Sequence, residues 1–168
     1  MAGKISQKIE LITNIVIILV AILFAYFLIQ KFLLPASVQP APIREIAKGT
    51  KIDLPEVDWQ ANRKTLLLVL QKGCRFCTES MPFYKTLIPK ASEKGVKVIA
   101  VLPNSPEESG RYLKENELPI ENVRSASLNA VNAQGTPTLM LVNEKGEVSD
   151  SWVGKLLPEK EQDVIDRL

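Results

Sequence analysis

The sequence predicts an α/β domain, a mixed central sheet with flanking helices, preceded by a single N-terminal transmembrane helix. Three observations carry that expectation. The first is an uncharged apolar run from Leu11 to Gln30. The second is the succession of short apolar runs and breaker-poor amphipathic stretches that follows it, the pattern of strands alternating with helices. The third is a pair of cysteines, Cys74 and Cys77, at the join of one such run and one such stretch.

The run LITNIVIILVAILFAYFLIQ is bounded by Glu10 and Lys31. At about 1.5 Å per residue it covers roughly 30 Å, the thickness of a bilayer's hydrocarbon core. A buried core helix would interrupt such a run with polar residues every turn, and only Thr13 and Asn14 do so, near one end. Lys4 and Lys8 precede the run as the basic region of a secretory signal would, but the run exceeds a signal's apolar core of ~7 to 15 residues and no small-x-small cleavage site follows Phe32. An uncleaved anchor over 11–34 is therefore expected, after a tail of residues 1–10, with the charge count favouring the N-terminus inside. Pro35, Pro40 and Pro42 then mark an extended spacer over 35–48, and residues 49–168 form the domain.

In the domain, Thr65 to Leu70 (TLLLVL) is a continuous apolar run, as in a strand covered on both faces. From Arg75 to about Lys94 the pattern predicts one helix bent at Pro82, where the ring removes a backbone donor. Val96 to Leu102 reads as a second buried strand. Ser105 with Glu107 and Glu108 is a cap and acidic first turn for a helix reaching about Asn116. A short helix is expected around Ser125 to Asn132. Thr138–Val142 and Val148–Val153 read as strands joined by a turn at Asn143–Gly146, and Pro158 opens a closing helix to Leu168. Trp59 and Trp152 are expected to pack at the domain's edges.

The chain's 168 residues hold two cysteines and no histidine. That composition lacks the commonest general base and the commonest neutral metal ligand, and two cysteines do not complete a mononuclear tetrahedral site. No metal and no cofactor is expected. With 21 Lys plus Arg against 19 Asp plus Glu, the charge balance gives no argument for nucleic acid, and none is expected as a partner. What remains is thiol chemistry. A cysteine at a helix start meets unsatisfied amides and the positive end of the macrodipole, and Arg75 adds a cation that would tune its pKa downward. Cys74 is thus the attacking sulfur and Cys77 the resolving one. Phe76, between them, would form part of an apolar rim that grips a partner protein. A structural pair of thiols in a tethered binding module, and a disulfide-forming oxidant, are the alternatives.

Pro82 five residues after Cys77, and Gly135-Thr136-Pro137-Thr138 ahead of a strand, resemble the thioredoxin superfamily. Within it the chain looks most like the membrane-anchored TlpA/ResA-type reductases, through GTKIDLPEVDW, CRFCTESMPFY, GTPTLMLVNEKGEV and WVGKLLPE over roughly residues 49 to 168. The resemblance implies a thioredoxin-like fold and a cis Thr136-Pro137 bond beside the cysteines, with the backbone at Thr136 and Pro137 binding substrate. It also implies an enzyme that exchanges disulfides with client proteins outside a bacterial cytoplasmic membrane, most simply as a reductase fed by a transmembrane electron donor. Against the family pattern, Gly73 stands where an aromatic is usual and Phe76 where proline often precedes the second cysteine. The first core strand carries no carboxylate. A copper-delivery relative would need a histidine, and a peroxidatic cysteine a threonine three residues before it, where Gln71 stands.

Overall fold

A computed structural model describes residues 2–28 and 45–168, with side chains described at 13–27 and 45–168. The chain divides into two compact units, Met1–Pro42 and Ile43–Leu168.

In the first unit, α1 runs Ala2–Leu28, so the expected tail is helical almost from its start. Each large apolar side chain from Ile15 to Phe27 is at least half exposed. Among the described residues, however, no helix is long and apolar enough to cross a membrane. The expected span reaches past Leu28, and residues 29–44, including most of the expected spacer, lie outside the described residues.

The second unit is a five-stranded sheet in the order β3-β2-β1-β4-β5. β1 (Thr65–Val69) is central because every residue in it is apolar or a buried threonine, and all five are buried. β2 (Lys97–Leu102) pairs with it in parallel and β4 (Thr138–Val142) antiparallel. β3 (Val123–Ser125) extends the parallel side, and β5 (Val148–Val153) closes the other edge antiparallel to β4. The sheet is mixed, as expected.

The pleat sends alternate residues of β1 to opposite faces. Leu66, Leu68 and Leu70 join a core with Cys77 and with residues of α4 (Met81–Glu93), α5 (Pro106–Glu115) and α6 (Pro158–Arg167). Leu67 and Val69 face a second core built from Ile52, Leu54, Val57, Val131 and Ala133. The larger helices thus contribute to one face, and the other is covered by the segment before β1, with its short α2 (Trp59–Asn62), and by a 3-10 turn at Leu128–Val131.

Three expectations are corrected. The stretch after Cys74 is two helices, α3 (Arg75–Glu79) and α4, broken at Ser80. Pro82 stands in the first turn of α4, where its missing N–H removes a donor that would have no intrahelical partner anyway. Ser80 makes the corner, its hydroxyl donating to the Phe76 carbonyl at 2.8 Å. Around Ser125 the expected helix is a three-residue edge strand followed by the 3-10 turn, because Val123-Arg124-Ser125 carries too little apolar sequence to signal a strand by itself. The domain also begins before residue 49. Ile46 donates its N–H to Ser151 Oγ at 2.7 Å, and Gly49 to the Val148 carbonyl at 2.8 Å, strapping this segment along the β5 edge.

The two tryptophans pack as expected. Trp59 lies against Gly146, where a Cβ would stand 3.0 Å from the indole and where the backbone has a φ of +75°, so glycine fits the turn on both counts. Trp152 is 4% exposed and donates its indole N–H to Asp163 at 2.9 Å. Arg167, also bonded to Asp163, and this indole hold the Asp163 carboxyl below its ordinary pKa.

Candidate active site

The chain leaves β1 through Leu70, whose N–H still donates to the Val101 carbonyl of β2, and turns at Gln71–Gly73. Gly73 has a φ of +78°, which a side chain would strain. The turn delivers Cys74 as the N-cap of α3, in extended backbone, with its Sγ accepting the Cys77 N–H at 3.1 Å. Cys74 and Cys77 are joined as a disulfide, their Cα atoms 5.3 Å apart. The two sulfurs differ in access. Cys77 is fully buried in the core beneath α3, while Cys74 is only half-buried.

Opposite Cys74 lies the loop before β4. The Thr136-Pro137 bond is cis, and the Thr136 carbonyl oxygen is 3.4 Å from Cys74 Sγ. Pro137 is buried and Thr136 half-buried. Thr138 holds the loop by donating its hydroxyl to the Gly135 carbonyl at 2.8 Å. A second tie comes from the end of β5, where Gly154 donates its N–H to the Pro137 carbonyl at 2.7 Å. The two segments that the motifs single out, 63 positions apart at Cys74 and Pro137, are therefore neighbours.

Phe76 is 52% exposed, the one large apolar side chain of α3 left in solvent. Arg75 does not point toward the sulfur it was expected to tune. Its Nε donates to Glu79 Oε1 at 2.7 Å, one turn down the helix and away from the N-cap. Lys155, from the loop after β5, donates to the other oxygen of Glu79 at 3.0 Å. Lys155 and then Arg75 hold the Glu79 carboxyl below its ordinary pKa. Glu79 and Lys155 escaped the reading of the sequence. The Arg75–Glu79 pair was visible as an i, i+4 spacing, whereas Lys155 carried no local signal.

Glu108, in the first turn of α5, is bonded to Lys72 at 2.8 Å and to the Asn104 amide at 3.1 Å, which lower its pKa in that order. It braces the loop before Cys74 from the outside. The polar side chains buried in the domain, Thr65, Ser80, Ser109, Thr138 and Ser151, include no carboxylic acid, so Cys77 has no buried carboxylate base among the described residues. Nor does any group of three or more Cys, Asp or Glu among the described residues stand where it could hold a metal ion.

Chemically, the arrangement presents one sulfur and conceals the other. A Cys74 thiolate at this N-cap would keep the Cys77 N–H as a donor, which favours the anion. With only five residues, α3 supplies a weaker macrodipole than a continuous helix would, which leaves the hydrogen bond as the local contribution seen directly.

Comparison with known proteins agrees with this construction. Residues 39–167 match the Redoxin family. The thiol-disulfide oxidoreductase ResA of Halalkalibacterium halodurans is 31% identical over 110 residues, which cover 63% of this chain and 61% of that relative's length. Among solved structures, a thiol-disulfide isomerase from Corynebacterium glutamicum superposes with a TM-score of 0.52 at 18% identity, covering 78% of this chain and 97% of the other. A thiol:disulfide interchange protein from Bacteroides sp. gives 0.52 at 17% identity over 76% and 90% of the two chains. StoA from Bacillus subtilis gives 0.50 at 20% over 74% and 98%. At these identities the superpositions speak to the fold, which is thioredoxin-like, and the match over 39–167 takes in the cysteines, the cis-proline loop and the closing hairpin alike: the chain belongs to the redoxin family, on its TlpA/ResA-like side.

Proposed function

We propose that this protein is a membrane-anchored thiol-disulfide oxidoreductase that reduces disulfides in client proteins outside the cytoplasmic membrane. The observation that carries the reading is the asymmetry of the pair, a half-buried Cys74 whose sulfur takes an amide hydrogen bond at the N-cap and a Cys77 with no exposure at all. In the dithiol form, the Cys74 thiolate attacks a client disulfide. A Cys74–client bond forms, the client S–S bond breaks, and one client sulfur leaves as a thiolate that takes a proton from water. Cys77 then loses its proton to solvent and attacks Cys74 Sγ, breaking the mixed disulfide, releasing the second client thiol and leaving the Cys74–Cys77 disulfide. The client has gained two electrons and the protein has lost two. A dithiol donor must return them, and a membrane-spanning electron carrier is the partner the anchor suits.

The client segment would lie along Thr136 and Pro137, where the Thr136 carbonyl meets Cys74, with Phe76 as the apolar edge of the contact. Phe76→Ala is expected to lower kcat/KM toward a protein disulfide roughly tenfold, a typical loss for a truncated aromatic contact, and by less toward a small-molecule disulfide. An unchanged value for the protein substrate removes Phe76 from the site.

The anchor is supported by the uncharged run 11–30 and by the exposed apolar surface of α1. Direction is tested by the reduction potential of the full chain, equilibrated against glutathione and dithiothreitol buffers. A value of about −270 mV or lower supports the reductase, and one near −120 mV makes the protein an oxidant instead.

A further inference from the structure

We propose that Glu79 is a positioning residue that gathers Arg75 and Lys155 onto one carboxylate, keeps their charge off the Cys74 sulfur, and so sets how strongly the pair oxidises or reduces. The inference rests on the thiol-exchange reading above and adds a control element to it.

The geometry is specific. Arg75 is the residue next to Cys74, and at the first position of α3 its guanidinium could fold back over the N-cap or extend along the helix. It extends, bonded to Glu79 Oε1 at 2.7 Å. Lys155 approaches from a different element and takes Oε2 at 3.0 Å. It follows Gly154, which is bonded to the Pro137 carbonyl, so the cation is held by a loop that also braces the cis-proline segment. Glu79 is 30% exposed, less than either cation it binds, and its carboxyl stays ionised because both partners favour the charged form. In the loop before Cys74, Lys72 is bonded to Glu108 of α5, beside the neutral Asn104, with Arg111 of the same helix also acting on Glu108. The cis-proline loop contributes Gly135, Thr136 and Pro137, none of them ionisable. Thus one carboxylate decides how much positive charge the Cys74 thiolate experiences from α3 and from the β5–α6 loop.

The sign follows directly. Neutralising Glu79 removes a negative charge about one and a half helical turns from the sulfur and frees two cations. Both changes favour the thiolate, lower its pKa and stabilise the dithiol form, which makes the protein a stronger oxidant.

The test uses the reduced full chain in mild detergent, with Cys74 reactivity followed by iodoacetamide alkylation against pH and mass spectrometry. In Glu79→Gln the thiolate fraction below the titration midpoint is expected to rise roughly three- to tenfold. The equilibrium with glutathione should move toward the dithiol by a similar factor. At 1 M salt, where the screening length is about 3 Å, most of the difference should vanish, and Arg75→Gln added to Glu79→Gln should cancel part of it. No rise, or a rise that persists undiminished in 1 M salt, overturns the proposal. Because alkylation reports the sulfur alone, a wild type that turns over no disulfide would remove the enzymatic reading without obscuring this result.

Discussion

Incubated with a protein disulfide, the reduced Cys77→Ala protein is expected to accumulate a mixed disulfide through Cys74. The Cys74→Ser protein should form none and lose at least roughly 10³-fold in exchange rate, as expected when a covalent nucleophile is removed. The asymmetry comes from access. Cys77 is fully buried, so with Cys74 gone no client sulfur can reach it, while Cys74 is open toward Thr136. The trap comes from proximity. In the wild type the resolving thiol sits three residues away on the same helix, at an effective concentration no external thiol matches. Without it, the mixed disulfide waits for a second molecule to collide. Alanine is the better replacement at position 77, because a serine hydroxyl in that apolar core would be buried without a partner, at a cost of about 1–3 kcal/mol. Non-reducing electrophoresis reads both results. A trapped complex in Cys74→Ser rather than Cys77→Ala would reverse the roles, and no complex in either would favour a tethered binding module whose disulfide is structural.

The placement of the two cysteines was legible in the sequence because it depends on local order. A buried strand run, then Gly73, then a cysteine opening a helix is a sequence pattern; the strands at 65–69, 97–102 and 138–142 announced themselves by nearly continuous apolar residues, and the one at 148–153 by the turn at Asn143–Gly146 ahead of it. Ser105 was readable as a cap for the same reason, and its Oγ does accept the Glu108 N–H at 3.2 Å. What escaped is what tertiary contacts decide. The three residues of β3 become a strand only because β2 offers them an edge. At Ser80 the amide still donates to the Phe76 carbonyl, and the ladder stops beyond it because Pro82 has no N–H to give to Thr78. In the sequence Arg75 is a cation next to a sulfur. Yet Lys155, 76 positions from Glu79, helps fix the carboxylate that draws Arg75 away. The family resemblance implied a cis-proline loop beside the sulfurs, and the fold has one, but the electrostatics around them belong to the folded state.

The division of the core into two faces leads to a second large effect. Leu67 and Leu68 are neighbours in β1, at 0% and 1% exposure, and they point into different cores. Leu68 sits level with Ala100 and Leu139 and shares its core with Cys77, Met81 and Tyr84, while Leu67 shares the other with Ile52, Val57 and Val131. Truncating either to alanine removes buried methyl groups and leaves a cavity the rigid central strand cannot collapse, at a cost of about 2–5 kcal/mol each. Urea denaturation followed by the fluorescence of Trp59 and Trp152 measures that cost, and a loss below about 1 kcal/mol would contradict the packing for either residue. The two variants should then part company. Leu68→Ala opens space in the core that fixes Cys77, so its dithiol–disulfide equilibrium with glutathione should shift from the wild-type value, whereas Leu67→Ala, on the far side of the sheet, should lose stability and keep that equilibrium. If Leu67→Ala moves the redox equilibrium as far as Leu68→Ala does, the helix-side core is not what positions the resolving sulfur, and the support for Cys77 must be sought in the sheet as a whole.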